Sequence, residues 1–146
     1  MTPAVQDYLK AIYALSGEEG GTTTTALARR LHTTPAAITK MVKHLAIQGV
    51  VEHEPYYGVR LTPAGADIAS EMVRHHRLLE RYLTDMLGYS PESVHDEAER
   101  LEHHISEEFE DRIAELLGNP TVDPHGRPIP LKAERELAPF QRMSRK

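Results

Sequence analysis

Apolar residues recur every three or four positions through the first part of the chain, a spacing that predicts short helices with one buried face each. The first helix is expected to run from Ala4 to Leu15 and to end before SGEEGG. Its buried stripe consists of Val5, Leu9 and Ile12. A second helix, capped by Thr24 or Thr25, is expected to extend through His32.

The stretch TTPAAITKMVKHLAIQG is predicted to form a third helix. Thr34 is its expected N-cap and Pro35 its first residue, where the missing N–H of proline costs nothing. Gly49 ends the helix, and its inward residues are Ile38, Val42 and Leu45. Because a short helix precedes it across the turn HTT, the pair is typical of a helix-turn-helix, whose second helix enters the major groove of DNA.

The next segment, VVEHEPYYGVRLT, has two β-rich runs around a Pro/Gly turn, which predicts a hairpin with Arg60 on the return strand. A helix-turn-helix followed by a hairpin predicts a winged helix over residues 1–65, with double-stranded DNA as its partner. Small side chains would allow close approach to bases, and polar or basic ones would reach phosphates. These candidates are Thr34, Ala36, Ala37, Thr39, Lys40, Lys43 and Arg60. The alternative is a small helical domain with an incidental pair of lysines.

A single long helix is predicted from Thr62-Pro63 to about Leu87. Its apolar stripe consists of Ala69, Met72, Val73, Leu79, Leu83 and Met86. His76 falls inside this stripe, with Glu80 four residues later. A lone histidine in such a position is more often a hydrogen-bonded core residue than a metal ligand.

A second acidic segment, HDEAERLEHHISEEFEDR at positions 95–112, holds three histidines and eight carboxylates. On a continuous helix with about 3.6 residues per turn, one face carries His95, Glu99, Glu102 and His103. The adjacent stripe, expected to be buried, consists of Ala98, Leu101, Ile105 and Phe109. Because unpaired carboxylates at the border of a core are costly, a positive charge is expected beside them.

Charge is distributed unevenly along the chain, whose net charge is -5. Residues 1–65 carry 6 Lys and Arg against 5 Asp and Glu, residues 66–118 carry 5 against 14, and residues 119–146 carry 6 against 3. The first region can therefore approach phosphate, and the second is suited to cations. With no cysteine, no apolar run of about 18 residues and no basic leader, the sequence predicts a soluble cytoplasmic protein without a membrane partner.

The positive charge expected in the acidic region has two candidate sources. Four arginines, namely Arg74, Arg77, Arg81 and Arg100, could supply it through ordinary salt bridges. A metal ion is the other source, since imidazole and carboxylate groups without sulfur suit Mn²⁺ or Fe²⁺. Zinc more usually takes cysteine or three histidines, and calcium does not favour imidazole.

The chain resembles the diphtheria toxin repressor and manganese transport regulator family of metal-dependent transcriptional repressors. The resemblance covers about positions 4–131 and includes, in order, QDYLKAIYAL, the winged helix, RHHRLLERYL, VHDEAERLEHHISEEFEDRI and GNPTVDPHGRPIP. It implies a mainly α protein in which the winged helix precedes a helical metal-binding and dimerisation domain, residues 66–131. A homodimer is also indicated by more apolar surface in 66–118 than one helical layer can cover, and would read two half-sites of a palindromic operator.

The resemblance also implies the ligand sets. One metal site would consist of Asp7, Glu99, Glu102 and His103. A second would consist of His76, Glu80 and His95, although in the manganese branch His76 would join the first group in a paired-metal site. Asp7 belongs to the DNA-binding part and the other ligands to the dimer part, so that metal binding would select one relative orientation of the two.

The chain departs from the family pattern at three places. Glu99 is typical of the manganese branch, where the iron branch usually has cysteine, and it favours Mn²⁺, with Fe²⁺ as the alternative. Lys10 stands where the manganese branch has an acid, which argues against paired-metal geometry. Many iron-branch members have a small third β-barrel domain after PIP, so residues 132–146 are expected to be a basic tail or the start of a missing domain.

Two functions from other classes compete with the metal-activated regulator of metal-homeostasis genes. A winged-helix regulator could instead sense a small organic ligand in a dimer groove and use its acids structurally. A carboxylate-bridged metalloenzyme could be built from histidine and glutamate on facing helices. The sequence contains no HExxH arrangement, and non-enzymatic regulation is the leading interpretation.

Overall fold

The computed structural model describes residues 1–16, 20–54 and 58–132. These residues form six helices and one two-stranded sheet. In chain order they are α1 (Pro3–Leu15), α2 (Thr24–Arg30), α3 (Pro35–Ile47), β1 (Val51–Glu54), β2 (Gly58–Leu61), α4 (Pro63–Leu87), α5 (Pro91–Leu101) and α6 (Glu107–Leu116). The mainly α fold with a two-stranded wing is thus confirmed. None of the helices described is both long and apolar enough to span a bilayer.

Local capping signals explain where the helices begin. Each starts after a serine or threonine whose side chain accepts a backbone N–H, and four have proline in the first turn. The expected cap of α2 was wrong, because Thr23 rather than Thr24 or Thr25 accepts the N–H of Ala26, at 3.0 Å. The helix also ends before His32, which adopts a left-handed backbone with φ 55° that a helix cannot include.

The winged helix is built by α1, α2 and α3 together with the hairpin, around one apolar core. The strands pair antiparallel, with Val51 opposite Leu61. The Pro/Gly turn predicted between them falls at 55–57, outside the described residues. Thr22 adds a bridge to Val59 on the outer edge of the hairpin. Gly58 permits this approach, since a Cβ there would lie 2.1 Å from the Thr22 carbonyl oxygen.

The long helix α4 joins two cores. Its first half contributes Ala69 to the core of the winged helix, and its second half packs against α5 and α6. The second core consists of Leu78, Leu79, Leu83, Val94, Ala98, Ile113, Ala114 and Ile129. Met86, the last member of the predicted apolar stripe, lies in the last turn of α4 and is exposed in the single chain.

The acidic segment is two helices rather than the one helix expected. α5 ends at Leu101, and Ser106 accepts the N–H of Phe109 at 3.1 Å to begin α6. The intervening residues shift the helical phase, so the predicted stripe is wrong at Leu101 and Phe109, which are 37% and 41% exposed. Glu110 takes a fully buried position instead.

Candidate metal centre and DNA-binding surface

The candidate metal ligands come from three helices and from the end of α5. Asp7 lies on α1, His76 and Glu80 lie one turn apart on α4, and His95 and Glu99 lie one turn apart on α5. Glu102 is the C-cap of α5, and His103 is the next residue. The seven residues therefore lie on the elements that join the winged helix to the second core.

In the first expected group, Asp7, Glu99, Glu102 and His103, all among the described residues, one contact joins two members directly, and no three members bring donor atoms within 4.8 Å of one another. His103 Nε2 lies 3.0 Å from Asp7 Oδ1, and its Nδ1 lies 2.7 Å from Gln6 Oε1. The Lys10 ammonium donates to both oxygens of Glu102, at 2.9 and 3.0 Å, and lies 3.9 Å from Glu99 Oε1. These contacts link α1 to both Glu102 and His103. They also place the ammonium of Lys10, which is not an expected ligand, beside two residues that are, Glu99 and Glu102.

The second expected group, His76, Glu80 and His95, is compact. His76 Nε2 lies 2.7 Å from Glu80 Oε1 and 3.2 Å from His95 Nδ1. One donor atom from each of the three residues lies within 4.8 Å of the other two. The spacing of four on α4 and the packing of α5 against it explain this convergence.

His76 also connects the two groups. While its Nε2 faces Glu80, its Nδ1 lies 3.3 Å from Glu102 Oε1. Sequence reasoning left open whether His76 belongs to the second group or joins the first. The imidazole contacts one carboxylate of each group through its two nitrogens, so both assignments have geometric support.

Charge pairing in this region outweighs the cost of burial. Burial alone would raise the pKa of Glu102, but the hydrogen bond with His76 and the Lys10 ammonium hold it below its usual value. The pKa of Glu80 is lowered in the same way, against burial, by His76 and Arg127. Burial alone would lower the pKa of His76, but the hydrogen bonds with Glu102 and Glu80 outweigh it and raise the pKa above its usual value. Asp7 differs, since burial raises its pKa despite His103.

The arginine network expected as an alternative forms away from the candidate ligands. Arg74 donates to Glu110, Arg77 to the Pro128 carbonyl, and Arg81 pairs with Asp85. Arg100 lies 3.8 Å from Glu97. Three of these arginines therefore pair with neighbouring acids and Arg77 with a backbone carbonyl, while Lys10 contacts Glu102 and Arg127 contacts Glu80.

Sequence reasoning missed the contribution of the segment after α6, which it treated as an extended connection. Arg127 donates to Glu80 Oε1 at 3.2 Å and to Asp123 Oδ2 at 2.8 Å. His125 Nδ1 lies 3.7 Å from Glu80 Oε2, an atom with no hydrogen-bond partner among the described residues. The sequence signal was the run DPHGR, in which an Asp-Pro turn brings two ionisable side chains together.

A second unpredicted cluster lies on the other side of α4. His75 Nε2 lies 2.8 Å from Glu110 Oε1 and 3.7 Å from Glu71 Oε1. Arg74 also donates to Glu110, at 3.1 Å. Because adjacent residues of a helix point in different directions, His75 and His76 lie on different faces of α4. The contacts of His75 and Arg74 with Glu110 hold α6 against α4.

The donor chemistry fits a divalent first-row metal. The expected ligands supply imidazole nitrogens and carboxylate oxygens, without sulfur. Glu80 is fully buried and keeps one oxygen without a hydrogen-bond partner among the described residues, an arrangement that a cation would satisfy. The pairing of Glu102 with Lys10 means that a metal ion would have to share or replace that counter-ion.

The candidate DNA-binding surface is the outer face of α3 with the wing. Ala36, Lys40 and Lys43 are exposed, while Ala37 and Thr39 are partly exposed. Thr34 caps the helix by accepting the N–H of Ala37 at 3.1 Å. The Thr39 hydroxyl donates to the Pro35 carbonyl at 3.0 Å, so its oxygen can still accept a hydrogen bond. Arg60 is exposed on β2, opposite Glu52.

Comparison with family profiles divides the chain into two matched parts. Residues 1–59 match the iron dependent repressor, N-terminal DNA binding domain. Residues 62–131 match the iron dependent repressor, metal binding and dimerisation domain. The two matches together include every candidate ligand and every candidate DNA contact except Arg60.

Individual relatives come from both branches of regulators. The HTH-type transcriptional regulator MntR of Lysinibacillus sphaericus is 36% identical over 116 residues, which are 80% of this chain and 83% of the relative. The diphtheria toxin repressor of Corynebacterium diphtheriae is 39% identical over 124 residues, or 84% of this chain. The match spans only 54% of that repressor's length.

Solved structures share the fold. The manganese regulator SloR superposes with a TM-score of 0.79 at 36% identity, covering 95% of this chain and 65% of that one. A manganese-dependent transcriptional repressor in complex with manganese gives a TM-score of 0.78 at 41% identity. That match covers 92% of this chain and 63% of the other.

Proposed function

Since the chain belongs to the iron-dependent repressor family, we propose that it is a metal-activated, homodimeric transcriptional regulator that responds to Mn²⁺, with Fe²⁺ as the alternative ion. It would bind palindromic operators of metal-homeostasis genes in the cytoplasm. The named relatives are transcriptional regulators and repressors, so the function proposed is regulation rather than catalysis. The proposed division is a winged-helix domain at 1–65 and a metal-binding and dimerisation domain at 66–131.

The observation that carries the proposal is the contact between Asp7 and His103, at 3.0 Å. Asp7 lies on α1 of the winged helix, and His103 lies after α5 in the second part. The proposed first site consists of these two residues with Glu99 and Glu102. The proposed second site consists of His76, Glu80 and His95.

A divalent ion would supply the positive charge that these carboxylates share and draw donors from both parts toward one point. The chain's own residues would then transmit that constraint to the DNA-binding surface. Asp7 fixes α1, and α1 packs on the same core as the recognition helix α3. A fixed α1 therefore restricts the orientation of α3, so the energy of ligand binding selects the DNA-competent arrangement.

DNA recognition is assigned to the exposed face of α3. Lys40 and Lys43 would contact phosphates, and Ala36 and Ala37 leave room for close approach to base edges. Arg60 would extend the contact to the backbone beside the wing. Two copies of α3, related by a two-fold axis, would read the two half-sites of an operator.

The dimer proposal has support from exposed apolar side chains in the second part. Leu87 ends α4, and Phe109 and Leu116 lie two turns apart on α6, yet all three are exposed in the single chain. Isolated exposed leucines are ordinary, but two apolar residues on one face of a helix beside a matched dimerisation profile favour burial against a second copy.

The test measures operator affinity and metal content on the same preparation, in chelated buffer with and without added Mn²⁺. The proposal expects bound Mn²⁺ and at least about tenfold tighter operator binding in its presence. Operator binding that ignores metal but responds to an organic extract would favour the small-ligand regulator. Metal-dependent turnover without operator binding would favour the metalloenzyme.

A further inference from the structure

Lys10 lies inside the proposed metal centre without being a candidate ligand. It is on α1, one turn after Asp7, and its ammonium donates to both carboxylate oxygens of Glu102. The same ammonium lies 3.9 Å from Glu99. Lys10 thus contacts two members of the proposed first site and shares a helix face with a third.

The pairing partner of Lys10 is a deeply buried carboxylate. The Glu102 side chain is 1% exposed and that of Lys10 is 19% exposed. A carboxylate so far from water needs a counter-ion or several hydrogen-bond donors. Besides Lys10, Glu102 Oε1 has His76 Nδ1 at 3.3 Å, so the ammonium is its only permanently charged partner among the described residues.

We propose that Lys10 is a tethered counter-ion that competes with the regulatory metal for Glu102 and thereby raises the metal concentration needed for activation. This inference rests on the proposed function, because it concerns the threshold of the same site. An ion that uses a Glu102 oxygen meets a positive charge already bound there. Two cations on one carboxylate repel each other strongly in a partly buried position, so the lysine must move away.

The structure provides a place for the displaced ammonium. A cleft of about 320 Å³ opens beside Lys10 and is lined by Asp7, Arg30, His32 and Glu99 among others. The flexible four-carbon stem of lysine can rotate from Glu102 into this cleft. Water there can solvate the ammonium, although Arg30 makes the cleft a less favourable position than the carboxylate of Glu102.

The Lys10–Glu102 pair also connects the two parts of the chain, because it joins α1 to the residue that caps the end of α5. Metal binding at Glu102 would therefore replace one bridge by another rather than create a bridge where none existed. Because the metal must displace Lys10 from Glu102, the net free energy of metal binding is smaller. A higher metal concentration would therefore be needed for activation.

The test compares Mn²⁺ dissociation constants of the full chain by electron paramagnetic resonance titration. Lys10→Gln removes the charge and should bind Mn²⁺ about tenfold tighter, whereas Lys10→Arg keeps the charge and should stay near the wild type. Lys132→Gln is the matched control, since it removes the same charge from an exposed lysine paired with Asp111. Repeating the series with His95→Ala weakens the second site and assigns the change to the first.

Chemical labelling of the wild type tests the displacement without any substitution. Saturating Mn²⁺ should increase acylation of the Lys10 amine severalfold, with exposed Lys40 and Lys43 as internal references. Unchanged labelling of Lys10, or Lys10→Gln binding Mn²⁺ no more tightly than the wild type, would overturn the inference while leaving the proposed function intact. If neither the wild type nor Lys10→Gln binds Mn²⁺, both proposals are wrong.

Discussion

His103 Nε2 lies 3.0 Å from Asp7 Oδ1, and the contact joins the first helix of the winged domain to the turn after α5. Gln6 holds the other ring nitrogen, at 2.7 Å, which orients the imidazole toward Asp7. Burial raises the pKa of Asp7 despite the nearby histidine. The pair therefore links the DNA-binding part to the acidic part of the chain.

Asp7→Ala should uncouple metal from DNA binding. The substitution removes the one candidate ligand on α1, so the chain should remain folded and dimeric while Mn²⁺ no longer improves operator affinity by more than about twofold. Fluorescence anisotropy with a labelled operator, with and without Mn²⁺, measures the effect. Asp67→Ala, at an exposed aspartate of α4, is the control. A response in Asp7→Ala equal to that of the wild type would show that Asp7 does not bridge the two parts.

Lys40→Ala and Arg60→Ala should weaken operator binding through lost phosphate contacts. Each should reduce the slope of log affinity against log salt by roughly one unit, because one fewer counter-ion is released. Thr39→Ala should change sequence preference instead, because it removes a hydroxyl oxygen that in the wild type is available to a base or phosphate. The measurement is a salt series with Lys132→Ala as the control. Slopes that stay unchanged in both Lys40→Ala and Arg60→Ala would contradict the assigned DNA face.

Local features of the fold could be predicted because their causes are local. Thr34 and Pro35 define the start of α3 through a hydrogen bond within one turn, and Thr62 does the same for α4. The break between α5 and α6 was missed for the opposite reason. Apolar residues continue at helical spacing through the break, which favours one helix. Ser106, which caps the start of α6, was the only local signal for two.

Part of the candidate site could also be predicted from spacing. His76 and Glu80 lie four apart on α4 and do meet. The approach of Asp7 to His103 could be expected only from the family resemblance, since nothing in the local sequence pairs residues so distant. The contact of Arg127 with Glu80 depends on how the chain after α6 folds back onto α4, and helical periodicity carries no information about it.

Leu116→Glu should separate the dimer into folded monomers. Leu116 is 60% exposed in the single chain, so the charge should cost little stability there, whereas burial in an apolar interface would be costly. Sedimentation velocity at micromolar concentration measures the effect. Ile47→Glu, an equally drastic change at an exposed position of α3, should leave the dimer intact. A dimeric Leu116→Glu variant would exclude this face of α6 from the interface.

Glu110→Gln should destabilise the protein at neutral pH but not in acid. Burial alone would raise the pKa of Glu110, but His75 and Arg74 outweigh it and hold the pKa below its usual 4.5. A lowered pKa contributes stability above pH 4.5 that is lost as pH falls through the folded-state value. We expect the variant to lose about 2 kcal/mol at pH 7, with the difference shrinking below pH 4.5.

Urea unfolding at a series of pH values measures the difference between wild type and Glu110→Gln. Glu108→Gln is the matched control, because Glu108 lies on the same helix, is exposed and lies 3.6 Å from Arg112. The control should track the wild type at every pH. A constant difference between wild type and Glu110→Gln across the acid range would mean that the lost stability comes from packing rather than from the charge.

Glu99→Cys should shift metal selectivity. Glu99 offers a hard carboxylate on the exposed side of α5, 3.3 Å from His95 Nε2, and sulfur in its place prefers softer ions. The response should move from Mn²⁺ toward Fe²⁺, Co²⁺ or Zn²⁺. The readout is the metal concentration that gives half-maximal operator binding under anaerobic conditions, since Fe²⁺ binds most N and O sites more tightly than Mn²⁺ and affinity alone would mislead.

Two further substitutions determine how a change in Glu99→Cys is interpreted. Glu102→Gln and His103→Ala remove donors that either metal would need, so they should abolish activation by every ion rather than exchange one for another. Glu99→Cys thus tests selectivity, because it exchanges a hard donor for a soft one. The other two substitutions test activation, because each removes a donor. A Mn²⁺ response untouched by Glu99→Cys would mean that Glu99 only neighbours Lys10 and His95 at the surface. Selectivity would then have to come from the donors on α1 and α4, Asp7 and His76.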